Sequence, residues 1–225
     1  MHAPQGLHRW SSLLFLIWLS GCSMLQPKPS EPPLPEPVGT PAEMHQQHIQ
    51  RITGINAFYL QGRIGIQTEG KGVSGATRWR HSPQLDDISM LSPVGGTVAK
   101  IIASADGVTL TTNDGKHFEA DSAEDLTQEH LGWRLPLTGL PDWAIGRPAK
   151  KLAEYMEWDT YGRITKLHQA GWEIEYPEYM QAKGYHLPKK VTLRNSKMTL
   201  KLVIESWEDL ADAKQPQKLA NESTQ

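Results

Sequence analysis

Cysteine is almost absent from this chain, because Cys22 is the single thiol in 225 residues. One thiol cannot form an intrachain disulfide, and it cannot supply the group of thiolates that a structural zinc site needs. The fold must therefore be stabilised by packing alone. The length is sufficient for one domain with a substantial apolar core.

An excess of positive charge is also missing. The chain has 23 Lys and Arg residues against 25 Asp and Glu residues, a formal net charge of −2. Proteins that bind the phosphate backbone of nucleic acids concentrate basic residues on one face or in one segment. This composition therefore argues against a nucleic-acid-binding protein.

Motifs of the common catalytic and nucleotide-binding sites are absent as well. The sequence contains no Gly-x-Ser-x-Gly, no His-Glu-x-x-His, no phosphate-binding loop and no cysteine pair. The acidic pairs Asp86-Asp87 and Glu124-Asp125 fall on a predicted strand and a predicted helix start, which favours structural carboxylates over catalytic ones. His45 and His48 share one helical turn without an acidic or thiol neighbour, so we predict surface histidines. We expect no enzymatic activity, no cofactor and no metal site.

The chain begins with a short apolar leader. The run from Leu13 to Leu19 is about half the length that would cross a hydrocarbon core, and it fits the apolar region of a secretory signal. The following Leu19-Ser20-Gly21-Cys22 resembles a bacterial lipobox, in which the cysteine is acylated and becomes the first residue of the mature protein. This resemblance implies a signal peptide over 1–21 and lipid attachment at Cys22. An aspartate directly after Cys22 would resemble the signal that retains a bacterial lipoprotein in the inner membrane. This chain has Ser23 at that position, which points to the outer membrane. The alternative is an ordinary signal peptide with a chance cysteine.

A proline-rich segment follows the lipobox. Seven prolines lie between Gln26 and Pro41. Such a run favours extended polyproline II, which rises about 3.1 Å per residue. We therefore predict a lipidated tether over 22–42 that separates the folded domain from a membrane.

The first half of the domain shows one helix and then a long alternation of apolar and polar residues. Apolar residues at three- and four-residue steps predict a helix from Glu43 to Asn56. A period of two then predicts strands, with Asp106-Gly107 and Asn113-Asp114-Gly115 as hairpin turns. The predicted strands run over 58–67, 73–79, 85–91, 97–103, 108–112 and 116–120.

The second half begins with two predicted short helices. Ser122 is placed to cap a helix that ends at Gly132, and Thr138 to cap another that ends near Ile145. Five more strands are predicted over 153–158, 163–168, 172–176, 187–194 and 197–206, before a polar tail over 208–225. Ten or eleven short strands with three short helices favour a closed or nearly closed barrel whose mouth the helices plug, and such a barrel can hold one apolar ligand.

Several short motifs in fixed order resemble the outer-membrane lipoprotein receptor family LolB. They are Leu135-Pro136-Leu137 with Leu140, Trp143, Gly146 and Pro148, His45-Gln46-Gln47, the strand with Trp79, the Ser92-Pro93-Val94-Gly95 turn and the Asn113-Asp114-Gly115 hairpin. Each motif alone is weak, but their order together with the lipobox is specific. The similarity covers about Met44 to Trp207, which we take as a domain over 43–207.

This resemblance implies a mainly β fold with helices. It implies an open or half-closed antiparallel β-barrel of about 10–11 strands, in which a lid of short helices covers a hydrophobic cavity. It also implies a monomeric receptor that is lipid-anchored in the outer membrane of a Gram-negative bacterium and faces the periplasm. Such a receptor accepts acylated lipoproteins from the periplasmic carrier LolA and releases them into the inner leaflet of the outer membrane. No cofactor is implied.

The resemblance also suggests which residues carry the function. An exposed apolar loop would contact the membrane through Pro93, Val94 and Gly95. The family often has Leu where this chain has Val94, so we expect a weaker membrane contact rather than a loss of function. The candidate residues of the lipid cavity are Phe58, Leu60, Ile64, Ile66, Trp79, Leu137, Leu140, Trp143, Trp172, Leu200, Leu202 and Ile204.

A second function remains open at this point. The same sequence suits a membrane-tethered scaffolding lipoprotein whose barrel is solid, with the candidate cavity residues serving as plain core. A hydrophobic dye that fatty acid displaces separates the two hypotheses, since a filled core has no room for the dye.

Overall fold

The structure, a computed structural model, describes residues 36–93, 95–150 and 152–212. Within these ranges the chain forms three helices and eleven strands. In chain order they are α1 (Pro41–Thr53), β1 (Ile55–Thr68), β2 (Lys71–His81), β3 (Leu85–Leu91), β4 (Thr97–Ser104), β5 (Gly107–Thr112), β6 (His117–Ala120), α2 (Ala123–Leu131), α3 (Leu140–Ala144), β7 (Tyr155–Trp158), β8 (Ile164–Gln169), β9 (Trp172–Ala182), β10 (Tyr185–Arg194) and β11 (Met198–Asp212). No helix in this part of the chain is long and apolar enough to cross a membrane.

All eleven described strands belong to one antiparallel sheet. Their order is β6-β5-β4-β3-β2-β1-β11-β10-β9-β8-β7, so two meanders meet where β1 pairs with β11. The ends of the sheet, β6 and β7, do not pair with each other, and the sheet is open. The prediction of a closed barrel was therefore wrong, whereas the open, half-closed barrel with short helices is confirmed. The two edge strands are separated in the chain by α2 and α3, which lie over the inner face of the sheet instead of extending its ladder.

The two faces of the sheet differ sharply. In β1 the residues Phe58, Leu60, Ile64 and Ile66 are buried, as their alternation predicted. The same face continues through Met198, Leu200, Leu202 and Ile204 of β11, and these side chains join one apolar cluster with the helices. We call this the inner face and the opposite, polar face the outer face. Burial of the inner face is the main stabilising contribution to the fold.

Helix α1 begins and ends earlier than predicted, at Pro41 and Thr53. Thr40 caps it, because the Glu43 amide donates to the Thr40 hydroxyl and the Thr40 amide donates to the Glu43 carboxylate, at 3.3 and 2.8 Å. This reciprocal capping box starts the helix two residues upstream of the predicted position. At the other end of the domain, β11 continues to Asp212, past the predicted end at Ser206. The predicted polar tail beyond Asp212 lies outside the described residues.

The two histidines of α1 attach the helix to the sheet. His45 contacts the end of β7 and the turn that follows it, and His48 contacts β9. His45 Nδ1 lies 2.9 Å from the Gly162 carbonyl oxygen, and its ring stacks on Trp158 with centroids 4.4 Å apart. His48 is 8% exposed and packs edge-on against Tyr179. The prediction of simple surface histidines was therefore wrong for His48, which tertiary contacts bury, whereas His45 is only partly buried. Among the described residues, no three His, Cys, Asp or Glu side chains are grouped so that they could hold a metal ion.

Candidate functional site

The chain from α2 to α3 covers the inner face, and we call residues 123–144 the lid segment. Ser122 Oγ accepts a hydrogen bond from the Asp125 amide at 3.2 Å, which caps α2. Gly132 ends α2 in the left-handed conformation, as predicted. The Leu135 amide then donates to Thr127 Oγ1 at 3.0 Å, so the loop after α2 is fixed to the helix by a fully buried threonine.

Thr138 does not cap α3, contrary to the prediction. The cap is Gly139, and it makes no side-chain hydrogen bond to the helix. Pro141 is the second residue of α3 and has no amide hydrogen, so a capping side chain would lack one of its usual donors. Thr138 instead donates from its amide and its hydroxyl to one Glu124 carboxylate oxygen, at 3.1 and 2.9 Å. This contact attaches the loop to the start of α2.

A buried glutamine attaches α3 to the sheet. Trp143 Nε1 donates to Gln169 Oε1 at 2.7 Å, and the Ala149 amide donates to the same oxygen at 2.8 Å. Gln169 Nε2 donates to the Ala149 carbonyl at 3.2 Å. A Cβ atom on Gly139 would lie 2.6 Å from the Trp143 ring, so the indole needs a glycine there. The ring is thus held between Gly139 and Gln169.

Arg147 joins the lid segment to α1. Its Nε donates to Asp142 Oδ1 at 2.7 Å, and its Nη1 donates to the carbonyl oxygens of Ile52, Thr53 and Ile55 at 2.9, 3.1 and 3.0 Å. The last carbonyl groups of a helix have no partner within the helix. The guanidinium supplies that partner, so the C-terminus of α1 and the region after α3 are stabilised together.

Two clefts lie at one end of the sheet, where the turns β1–β2, β3–β4, β8–β9 and β10–β11 occur. We call this the distal end, since it is opposite the end at which α1 leads into β1. The larger cleft has a volume of about 570 Å³. Its lining includes Trp143 and Trp172, whose ring centroids are 6.5 Å apart. It also includes the charged residues Glu124, Asp142 and Lys150. The second has a volume of about 430 Å³ and lies beside Trp133. Arg134 and Asn195 line both clefts, so the two are neighbours along the edge of the lid segment.

The turn between β3 and β4 lies at the same distal end. The Gly95 amide donates to the Ser92 carbonyl at 2.9 Å, and the Ser92 amide donates to the Gly96 carbonyl at 2.7 Å. Pro93 and Gly95 are both exposed. Val94 between them lies outside the described residues, as does the predicted lipid-attachment residue Cys22. Of the predicted membrane loop, Pro93 and Gly95 therefore lie in the exposed turn between β3 and β4.

The twelve candidate cavity residues are brought together on the inner face. All of them except Trp172 are buried, with exposures of 8% or less, and Trp172 is partly buried against the same cluster. Trp143 and Trp172 line the larger distal cleft. Leu137 and Leu140 belong to the lid segment, as does Trp143, and the remaining candidates lie on the inner face beneath it, in the same apolar cluster.

The acidic pairs of the sequence have structural partners. Asp86 Oδ1 accepts from Trp79 Nε1 and contacts His81 Nδ1, each at 2.7 Å. Asp87 forms an ion pair with Lys100 at 3.3 Å. In the lid segment Glu124 accepts the two hydrogen bonds from Thr138, and Asp125 pairs with Arg134.

Sequence reasoning missed the residues that hold the lid segment. Gln169 offered one signal, because it follows Leu167 on the inner face of β8, where an uncharged polar side chain must find buried partners. Arg147 offered none, since its partners are backbone carbonyls some 90 residues earlier in the chain.

The family model that matches this chain and the relatives similar to it in sequence name the same protein family. The model of the family described as outer membrane lipoprotein LolB matches residues 56–207. The chain is 31% identical over 205 residues to the outer-membrane lipoprotein LolB of Pseudomonas fluorescens, covering 91% of this chain and 94% of that protein. It is 32% identical over 197 residues to the protein of the same name from Nitrosococcus oceani, covering 87% and 94%.

Solved structures give a more distant similarity. A LolA superfamily protein from Nitrosomonas europaea superposes with a TM-score of 0.43 at 10% identity, over 78% of this chain and 95% of that one. A similarity of this size adds nothing to the family assignment. The family model covers most of the chain, and the relatives align along nearly their whole length. The chain therefore belongs to the LolB family of outer-membrane lipoproteins.

Proposed function

We propose that this protein is a lipid-anchored receptor that accepts acylated lipoproteins from the periplasmic carrier LolA and inserts them into the outer membrane. One observation carries the proposal beyond family membership. The tryptophan-lined cleft at the edge of the lid segment and the exposed Pro93–Gly95 turn lie at the same end of the sheet. An entrance for acyl chains and a membrane-contacting loop must share one end if cargo is to pass directly into a bilayer.

The inner face suits the chemistry of the cargo. Each methylene of an acyl chain gains about 0.8 kcal/mol when it is removed from water. A carrier and a receptor must therefore both offer apolar surface whose contact with the acyl chains gains a similar free energy. Transfer without an energy source needs only a higher affinity at the receptor, and a tenfold preference corresponds to about 1.4 kcal/mol. The tryptophans at the cleft are side chains of large apolar area that could supply such a difference.

Cargo entry requires the lid segment to separate from the sheet. The Gln169 side chain makes the three hydrogen bonds that hold Trp143 and Ala149, and each such bond contributes about 1 kcal/mol net. Breaking them opens the larger cleft toward the buried face beneath α3. The lid segment is also held by its buried apolar side chains, such as Leu135 and Leu140, and acyl chains that displace it would take over this apolar contact with the inner face.

The tether is long enough for the distal end to face the bilayer. Residues from Cys22 to Thr40 would span about 60 Å in polyproline II. The 14 residues of β1, the strand that follows α1, span about 46 Å. A lipid at Cys22 can therefore remain in the membrane while the domain turns its distal end, and the loop at Val94, toward the same surface.

A charge at the loop tip tests the proposal. Val94→Glu should leave the fold and the acceptance of lipoproteins from LolA intact, yet deposit them poorly, because insertion of a valine is worth at most about 1.5–3 kcal/mol and a carboxylate reverses that sign. The measurement is transfer of a radiolabelled lipoprotein from loaded LolA to the receptor and then to vesicles.

Val38→Glu is the matched control. Val38 is 86% exposed and lies before α1, so the same substitution there should leave deposition unchanged. Normal deposition by a stable Val94→Glu protein would contradict the role of the loop. Failure of the unsubstituted protein to accept lipoprotein from LolA would contradict the receptor function itself.

A further inference from the structure

Three basic side chains lie together on the outer face, at the centre of the sheet. They are Arg78 of β2, Arg63 of β1 and Lys201 of β11, and we call them the basic triad. Arg78 is opposite Gln61, two residues from Arg63, and Lys201 is opposite Gly65, two residues from Arg63 on the other side. Diagonal neighbours of this kind are about 7–8 Å apart between Cα atoms, within reach of long side chains.

No carboxylate of the described residues forms an ion pair with the basic triad. All three side chains are exposed, and none forms an ion pair or a side-chain hydrogen bond with another described residue. Glu205 lies beside them at the β11 bulge and makes no ion pair with them. Four neighbouring cations on the same face do have partners, and these pairs are Arg80–Asp209, Lys100–Asp87, Lys190–Glu178 and Arg194–Glu175. The three like charges of the triad are diagonal neighbours, and none of them gains such a partner that would stabilise the fold.

The surface around the basic triad is accessible to a partner. A shallow groove of about 450 Å³ runs beside Lys201 and Arg194 and is bordered by Gly65, Gly72 and Ser74. A Cβ atom built on Gly65 would meet nothing within 4 Å, so this part of the groove is open. Ala76, opposite Arg63, is also small and exposed. Small residues between cations let an extended acidic segment approach the sheet closely.

The position of the triad decides between a membrane and a protein. Along their strands, Lys201, Arg63 and Arg78 are three, five and seven residues from the distal end, which corresponds to about 10, 17 and 24 Å. Charges interact weakly beyond the Debye length of about 8 Å at physiological salt. A bilayer that faces the distal end, the orientation taken from the proposed function, therefore leaves Arg63 and Arg78 outside the range of its headgroups.

We propose that the basic triad is a docking surface for an acidic segment of a periplasmic protein. Carboxylates of that segment would lie over Arg63 and between its two cationic neighbours, with the groove beside Lys201 receiving its backbone. Exposed charges of this kind act mainly on the rate of association and on its salt dependence. The outer face thereby recruits a partner while the distal end remains free for the membrane.

The test uses the full lipidated protein in neutral detergent, with fluorescein-labelled poly-L-glutamate as the acidic probe. Arg63→Glu should weaken binding about fivefold to tenfold, because one exposed ion pair is worth at most about fivefold in an equilibrium constant and the reversal adds repulsion. The effect should vanish in high salt. Lys201→Glu should behave in the same way, and it provides a second variant if Arg63→Glu does not fold.

Lys183→Glu is the matched control, since Lys183 is exposed in the β9–β10 turn at the opposite end and the variant makes the same change of net charge. Its binding of polyglutamate should change less than twofold by the same reasoning. Equal losses in all three variants would overturn the proposal. A second result would also overturn it. This is the case in which Arg63→Glu weakens the binding of a short-chain phosphatidylglycerol, used below its micelle concentration, but does not weaken the binding of polyglutamate. Neither measurement requires lipoprotein transfer, so failure here is distinguishable from failure of the proposed function.

Discussion

The contact between α1 and the β7–β8 turn makes Gly162 a sensitive position. A Cβ atom there would lie 2.2 Å from the Met44 carbonyl carbon and 2.3 Å from the His45 amide nitrogen. Both atoms belong to the backbone of α1, so the clash cannot be relieved by a rotamer change. Gly162→Ala should therefore force α1 away from the sheet and break the contact between His45 and the Gly162 carbonyl.

Gly115 provides a control with the same backbone geometry. Both glycines have a φ of +77°, but a Cβ atom on Gly115 would meet nothing within 4 Å. Placing alanine in the left-handed conformation costs about 1–2 kcal/mol at either position. Gly162→Ala adds overpacking of about 1–3 kcal/mol and a lost hydrogen bond of about 1 kcal/mol. The overpacking and the lost hydrogen bond add up, so we expect Gly162→Ala to lower the free energy of unfolding by about 2–4 kcal/mol more than Gly115→Ala does.

Urea unfolding followed by tryptophan fluorescence and far-ultraviolet circular dichroism measures both variants, with linear extrapolation to water. Hydrogen exchange of the α1 amides should also quicken in Gly162→Ala and remain unchanged in Gly115→Ala. If the two variants lost the same stability, the docking of α1 on this turn would be refuted.

Two further predictions follow from buried groups. Burial, followed by the charges of His45 and Arg163, lowers the pKa of His48 from 6.5 to about 4. Because unfolded His48 binds a proton below pH 6.5 and folded His48 does not, stability should fall as the pH drops from 6.5 to about 4, by up to about 3 kcal/mol. His48→Gln should flatten that part of the profile in urea unfolding, and an unchanged slope would contradict the burial. Trp143→Phe keeps a ring but removes the donor to Gln169. It should lower the free energy of unfolding by about 1 kcal/mol and speed uptake of an apolar dye, whereas unchanged uptake would show that this bond does not restrain the lid segment.

Local patterns in the sequence determined much of the fold. Alternation placed Leu60, Ile64 and Leu202 on one face of their strands, and that face is buried. Asn113-Asp114-Gly115 predicted its hairpin, and Ser122 with Gly132 predicted both ends of α2. These predictions succeeded because each depends on backbone preferences within a few residues or on a period that burial imposes on one element.

Tertiary structure alone decided the features that depend on distant partners. The two meanders join through the pairing of β1 with β11, which lie at opposite ends of the folded chain, and the described edge strands β6 and β7 stay apart. His48 is buried where α1 packs on Tyr179 of β9, and Gln169 holds the lid segment because Trp143 reaches it across 26 residues. The basic triad exists only through the register of three strands. No local preference encodes these contacts, since the free energy that selects each one comes from packing and desolvation summed over the whole inner face.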